Sequence, residues 1–325
     1  MISFDGRAVL VTGAGRGIGR AHALLLAARG AQVMVADVGT DLFGAGADAT
    51  PAAETVQAIR AAGGVAQAYL ADLTDPDGAR GAVDATLAAF DRVDGVVHNA
   101  GFTLGGRDFA EDELGRLDTL LAVNARAGFE LARRAWPAMC AQGFGRIVLT
   151  SSTAYYGMAH SVAYSTAKAA LIGLTRALAD EGRPHGIGVN AIAPAGATRM
   201  AENLAASPYR SWFLDTMRPE LVSPLVAVLL HEDCSVTGEL FVAGGGRFAA
   251  TLLGETRGVT DRELTPEALR TRLADVLDPS GVEYPRTTGE SGEFAARLLG
   301  HELSEPVSVV AGTSPAAQQL EGSAT

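Results

Sequence analysis

Arg7-Ala8-Val9-Leu10-Val11-Thr12-Gly13-Ala14-Gly15-Arg16-Gly17-Ile18-Gly19 is the stretch that decides the fold. Apolar residues at consecutive positions predict a strand over Arg7–Val11 that is covered on both faces. The spacing Thr-Gly-x-x-x-Gly-x-Gly follows it and opens a helix predicted over Gly17–Arg29. Gly13 permits a tight exit from the strand. Gly17 lets the backbone approach a pyrophosphate, and Gly19 lets the helix lie close to the sheet. A phosphate there faces the free N–H groups and the positive end of the helix dipole. Arg16 and Ile18 complete this candidate cofactor-binding loop. An unliganded glycine turn is the plain alternative, and the strand before and helix after argue against it.

Outward from that loop, strand-like and helix-like runs alternate up to about residue 245. Strands are predicted at Gln32–Ala36, Val65–Leu70, Val93–Val97, Arg146–Thr150, Gly188–Ile192 and Glu239–Val242. Helical spacing covers Ala52–Ala62, Pro76–Phe90, Glu111–Met139 and Val162–Glu181, with Thr50 and Asp75 as caps before Pro51 and Pro76. Repeated β-α units imply an α/β fold with a doubly wound, Rossmann-like parallel sheet. The expected organisation is a dinucleotide-binding catalytic domain over 1–250 and a C-terminal helical extension over 251–303. The latter holds helices at Pro266–Val276, with Thr265 as cap, and Ser291–Leu299. A flexible tail is expected over 304–325, where Ser, Pro, Ala, Gln and Gly dominate.

Composition narrows the class. The 325 residues are 48% hydrophobic and 19% charged, which suits a large packed core. A formal charge of −11 argues against a nucleic-acid surface. No apolar run reaches the ~20 residues of a membrane helix. The two cysteines, Cys140 and Cys234, read as reduced thiols. A cytoplasmic protein fits this set, and the strand beginning so near residue 1 leaves no room for a signal peptide.

Further cofactor contacts follow strand ends. Asp37 ends the second strand, where a carboxylate accepts from both ribose hydroxyls and repels a 2′-phosphate, favouring NAD over NADP. Arg16 pulls the other way. Asp72-Leu73 would reach an adenine edge, with an ordinary turn aspartate as the alternative. Asn99-Ala100-Gly101 suits a tight bend beneath a nicotinamide ribose.

The second group lies downstream. Tyr164 and Lys168, four apart on a helix, share one face. An adjacent ammonium is expected to lower the phenol from its ordinary value of about 10, at ~1.4 kcal/mol per unit, towards the range useful for acid-base work. A serine at the preceding strand end can hold a substrate oxygen. Tyr-x-x-x-Lys alone is weak; joined to the serine and the glycine loop it is specific.

Over roughly residues 4–250 the chain resembles the short-chain dehydrogenase/reductase family: the glycine loop, Asn99-Ala100-Gly101, Asn124, the serine and Tyr164-x-x-x-Lys168 fall in family order. The resemblance implies that Tyr164 is the acid/base, that Lys168 binds the nicotinamide ribose, that the serine polarises the carbonyl, and that Asn124 holds a water in a proton relay. A narrower likeness, over about residues 1–300, is to the (3R)-3-hydroxyacyl-CoA dehydrogenase portion of the multifunctional type 2 enzymes. It is carried by Gly39-Thr-Asp-Leu-Phe-Gly, Glu181-Gly182-Arg183, Ala193-Pro-Ala-Gly-Ala-Thr-Arg-Met200, His231-Glu232 and Leu264-Thr-Pro-Glu-Ala268. It adds Pro194 and Thr198 to the cofactor-binding set and implies a homodimer or homotetramer paired through helices 111–139 and 162–181.

Two departures stand out. The second serine of the pair, Ser152, is 12 residues before Tyr164, whereas Ser151 has the family's spacing of 13. A one-residue deletion in Thr153–Gly157 accounts for both, and the strand end favours Ser152 without removing Ser151. The chain is also expected to end as a single domain, without the hydratase portion seen in full-length relatives. The expected function is NAD-dependent interconversion of a secondary alcohol and a ketone, with a (3R)-3-hydroxyacyl thioester as substrate. The alternatives are an NADPH ketoreductase of a natural-product carbonyl and a non-catalytic dinucleotide sensor. His160, Trp212 and Phe213 are weighed as pocket residues, His98 as strand-end packing without metal-ligand spacing, and Arg199 and Arg247 as the cations that could meet a CoA phosphate.

Overall fold

β1 (Ala8–Thr12) is buried at every position, and the sheet grows outward from it on both sides. The computed structural model describes residues 2–70, 72–202, 206–305 and 307. After β1 come α1 (Gly17–Ala28), β2 (Gln32–Ala36), α2 (Thr50–Ala61), β3 (Val65–Tyr69), α3 (Pro76–Phe90) and β4 (Gly95–His98). Next are α4 (Leu114–Leu121), α5 (Ala127–Gln142), β5 (Gly145–Thr150), α6 (Val162–Gly182) and β6 (Ile187–Pro194). The short α7 (Arg199–Glu202), α8 (Pro208–Thr216), α9 (Ser223–Leu230), β7 (Leu240–Gly244) and β8 (Arg247–Thr251) follow. Strand order is β3-β2-β1-β4-β5-β6-β7-β8, parallel except for the last pair. The expected doubly wound sheet is present, and its direction of winding reverses between β1 and β4. That reversal opens a crevice at the carboxyl ends of these strands.

Each face of the sheet has its own core. Leu10, Met34, Val96, Ile147 and Leu149 pack with Val83, Leu131, Met139 and Leu171 on one side. Val9, Val11, Val33 and Val148 pack with Leu26, Ile59 and Val226 on the other. This is why the strands carry apolar residues at successive positions. β3 departs from that pattern, with three of its five residues exposed or nearly so because it is the sheet edge.

Several local expectations change. β8 was not legible as a strand. Gly245 and Gly246, at φ +57 and +82, form the two-residue turn that folds it back on β7. The helix expected over 111–139 is α4 and α5 joined through a wide π-turn at Ala122–Arg126. Thr50 is not the cap of α2 but its first residue; Asp48 accepts its N–H at 2.9 Å. Asp75 does cap α3, accepting from Asp77 N.

Residues from Leu252 onward make a separate compact unit. It holds α10 (Pro266–Thr271), capped by Thr265, α11 (Leu273–Val276), and α12 (Thr288–Leu298), capped by Thr287. The helix expected over 266–276 breaks at Arg272. Apart from Ser304, Glu305 and Val307, the stretch expected as a tail lies outside the described residues. No helix among the described residues is long and apolar enough to cross a membrane.

Helix α1 lies so close to β1 that a Cβ on Gly19 would run into Gly13 O and Asn99 Nδ2, whereas one on Gly173, mid-way along α6, would meet nothing within 4 Å. Gly19→Ala should therefore cost about 1–3 kcal/mol by overpacking. Gly173→Ala should add roughly 0.5–1 kcal/mol through helix propensity. Urea unfolding midpoints that shift in the same direction for both would contradict this packing.

Candidate active site

The glycine loop is built as its sequence requires. Gly13 and Gly17 sit at φ +62 and +55. Asp37, from the end of β2, closes the loop: its Oδ2 accepts Gly15 N–H and its Oδ1 accepts Gly39 N–H, both at 2.7 Å. Each carboxylate oxygen keeps a further acceptor site for a ribose hydroxyl. From β4, Asn99 N and Ala100 N donate to Thr12 Oγ1 at 3.1 and 3.0 Å, and Asn99 Nδ2 reaches Thr12 O at 3.2 Å. The segment after β6, whose last residue is the half-buried Pro194, lies against the loop. Thr198 lies against Gly17, and Gly196 lies against Ile18.

The second group gathers at the ends of β4, β5 and α6. Tyr164 and Lys168 are 8% and 4% exposed, with Lys168 Nζ 5.8 Å from the centre of the Tyr164 ring. Nζ donates to Thr150 O at 2.8 Å. Asn124, inside the π-turn, donates from Nδ2 to Leu120 O at 2.9 Å, while its buried Oδ1 has no hydrogen-bond partner among the described residues. That oxygen and Lys168 Nζ flank Gly101, where a side chain would collide with Asn124 and lie 3.2 Å from Nζ. The two serines diverge. Ser151 is buried and donates its hydroxyl to Lys168 O at 2.8 Å. Ser152 accepts Ala154 N–H at 3.1 Å and lies near enough to the Tyr164 hydroxyl to influence its protonation.

Burial dominates the electrostatics. It pushes the Tyr164 phenol above its ordinary range, with nearby Ser152 as a smaller opposing influence. It pulls Lys168 down to about 7. The sequence led to the opposite expectation for the phenol. In the chain alone the ammonium is turned to a backbone carbonyl and loses charge to the same burial, so it does little for a phenolate.

Other candidates are placed differently. Arg16 pairs with Asp48 at 3.3 Å on the surface. Asp72 is exposed and uses Oδ1 for Thr74 N and Oγ1, and Leu73 is buried in the core. His160 is exposed, paired with Asp108 at 2.7 Å. Trp212 and Phe213 flank Tyr209 on α8, which has no buried side chain among the described residues. Arg199 reaches Thr40 O at 3.4 Å, and Arg247 is exposed. His98, read from the sequence as packing, is instead bonded to both Thr12 and Asn124. No local motif announces that role, because its two partners are remote in sequence.

A glycine loop at the switch point, a carboxylate at the end of β2, and a tyrosine, lysine, serine and asparagine around one crevice define a dinucleotide-dependent oxidoreductase of the Rossmann type. Residues 7–208 match the short chain dehydrogenase family, and the chain belongs to the short-chain dehydrogenase/reductase family, whose cofactor is NAD or NADP. It is 38% identical over 312 residues to the peroxisomal multifunctional enzyme type 2 of Mus musculus, covering 94% of this chain and 41% of that protein. It thus spans less than half of that relative's length. The structure of the full-length Drosophila melanogaster enzyme of the same name superposes with a TM-score of 0.75 at 28% identity, over 92% of this chain and 50% of that one. A short chain dehydrogenase from Mycobacterium avium gives a TM-score of 0.72 at 38% identity, over 84% and 95%.

The depressed Lys168 value has a consequence for stability. Lysine in the unfolded chain holds its proton up to its ordinary value of 10.5, while the folded residue releases it near 7. Unfolding then takes up a proton across that window, so this group's contribution to stability rises with pH from about 7 towards 10. The melting temperature of wild type minus that of Lys168→Met should increase between those limits. A flat or falling difference would show that Lys168 stays charged in the fold.

Proposed function

We propose that this chain is an NAD-dependent dehydrogenase that interconverts a secondary alcohol and a ketone, with a (3R)-3-hydroxyacyl thioester as substrate. The observation that carries the chemistry is the convergence of buried Tyr164 and Lys168 with Ser152 and Asn124 at the ends of β4, β5 and α6. The glycine loop fits a pyrophosphate, and the recess at Gly101, lined by an unpartnered acceptor and an ammonium, fits a ribose. When bound, the oxidised dinucleotide supplies a hydride acceptor and a positive charge.

Ser152 Oγ holds the substrate oxygen, and Tyr164 Oη, as phenolate, takes the hydroxyl proton and becomes the phenol. Lys168 favours the phenolate to the extent that it is charged, and Asn124 Oδ1 accepts the hydrogen bond that leads the proton outward. Ser151, committed to the α6 backbone, holds the strand end in place. Asp37 supports NAD, since a 2′-phosphate would meet its carboxylate while Arg16 is engaged by Asp48. The substrate class rests on the likeness to the multifunctional enzymes. Two copies or four are proposed to pair through the outer faces of α4–α5 and α6, where Phe129 and Val162 are exposed. Cys140 and Cys234 are both free, which suits the cytoplasm and equally the peroxisome named for the mouse relative.

Turnover is read as reduced-nicotinamide absorbance over a panel of acyl-CoA, free-acid and steroid alcohols. Tyr164→Phe should lower kcat by roughly 10²–10⁴-fold. Ser152→Ala should lower it by about 10²-fold, and Ser151→Ala should mainly cost about 1 kcal/mol of stability. Equal turnover in wild type and Tyr164→Phe would remove the mechanism, and no turnover on any alcohol would favour a sensor. NAD preference should shrink in Asp37→Ala; an unchanged ratio of kcat/KM for the two dinucleotides would point to an NADPH ketoreductase.

A further inference from the structure

His98 ends β4 at 1% exposure, yet both ring nitrogens are engaged. Nδ1 lies 3.2 Å from Thr12 Oγ1, and Nε2 lies 2.9 Å from the Asn124 carbonyl oxygen. The Thr12 hydroxyl already accepts from Asn99 N and Ala100 N, so its single proton is left for Nδ1. That fixes the tautomer: Nδ1 accepts, and Nε2 carries the hydrogen donated to Asn124. A neutral ring is required for this, and burial, with the Lys168 charge as a lesser influence, pulls His98 down to about 4. The ring has no room to slide, because a methyl on Gly128 would already sit 3.1 Å from its Cδ2.

Asn124 lies where the helix widens into the π-turn Ala122–Arg126. Such a turn disturbs the ordinary i→i+4 ladder and recurs at functional sites. We infer that His98 is a positioning residue that couples the dinucleotide loop to the relay asparagine. It holds the Thr12 hydroxyl, over which the loop bends, with one nitrogen, and with the other it holds the backbone from which Asn124 Oδ1 faces Gly101. The inference rests on the dehydrogenase reading above. An imidazole suits the task because it carries an acceptor and a donor at a fixed separation in one rigid ring.

The two ends can be severed separately. An asparagine side chain reaches about as far as Nδ1, and a glutamine about as far as Nε2. His98→Asn should keep the Thr12 contact and release Asn124. NAD affinity, measured by calorimetry without substrate, should then stay within about twofold, while kcat falls roughly tenfold and the apparent pKa in its pH profile shifts. His98→Gln should do the reverse, weakening NAD roughly five- to tenfold while kcat at saturating NAD stays within about twofold. Parallel changes of Kd and kcat in both variants, or a lower melting temperature with both constants unmoved, would overturn the coupling and leave His98 as core filling. If either variant fails to fold, Thr12→Ser, which keeps the hydroxyl, should retain NAD affinity where Thr12→Val loses it; equal affinities in that pair would equally overturn the coupling. Tyr164→Phe is run alongside. Turnover surviving in it would remove the dehydrogenase reading itself, whereas its loss, with the His98 variants unmoved, would remove only the role of His98.

Discussion

The Thr12 hydroxyl is the point on which the upper edge of the sheet depends. It ends β1, accepts two consecutive amides from the turn after β4, and donates to the histidine that closes β4. A parallel pair of strands whose winding diverges has no hydrogen-bonded ladder beyond its last residues. Without some cross-link, the crevice at the switch point would be bounded by two independent loops. One buried hydroxyl with its full valence satisfied joins them, and Asn99 Nδ2 adds a second tie to Thr12 O. The glycine loop and the floor under Gly101 therefore move as one piece. A rigid scaffold of this kind is what positions charge-bearing groups closely enough for chemistry.

Burial then sets the character of those groups. Tyr164, Lys168 and His98 are all nearly excluded from solvent, and for each of them desolvation is the largest influence on protonation. The result is a site whose neutral forms are favoured: phenol rather than phenolate, an ammonium held only up to about pH 7, and an imidazole that stays uncharged. The site is thus poised to respond to charge brought in from outside. A cationic ring entering beside Tyr164 would act in a low dielectric, where a unit charge counts for far more than it would in water.

Much of this was legible in the sequence because strand burial and glycine placement are local signals. Consecutive apolar residues in β1, β4 and β5 marked a doubly covered sheet, and Gly13, Gly17 and Gly19, set between a strand and a helix, marked the loop. β8 escaped because Arg247-Phe248-Ala249-Ala250-Thr251 lies at the sheet edge with no buried residue and carries two alanines where a strand usually has β-branched side chains. The π-turn escaped because a single extra residue per turn leaves the helical pattern of 111–139 nearly unchanged. Spacing could not separate Ser151 from Ser152, because their different hydrogen bonds, Ser151 to Lys168 O and Ser152 from Ala154 N, depend on how the backbone turns after β5. His98 escaped for another reason: its partners are 86 and 26 residues away.

The lower edge of the same sheet shows what the upper edge forgoes. There Asp94 is buried with its carboxylate accepting from Arg7, both Arg92 nitrogens and Ala8 N, at 2.6 to 3.0 Å. Those bonds hold its pKa below the ordinary carboxylate range despite burial. A carboxylate satisfied four times over fastens β1 to β4 and has little capacity left for a ligand. At the upper edge, Asn124 Oδ1 and Thr150 Oγ1 are buried without a partner among the described residues, beside an ammonium with donors to spare. Leaving a polar atom unpaired in a core costs about 1–3 kcal/mol. At the carboxyl edge that cost falls on these two oxygens near Tyr164 and Lys168, as it falls elsewhere on His22 Nε2 and Arg146 Nε. The two edges of one sheet differ accordingly: Asp94 is closed by charge pairing at the amino edge, whereas Asn124 Oδ1 and Thr150 Oγ1 keep unused capacity at the carboxyl edge.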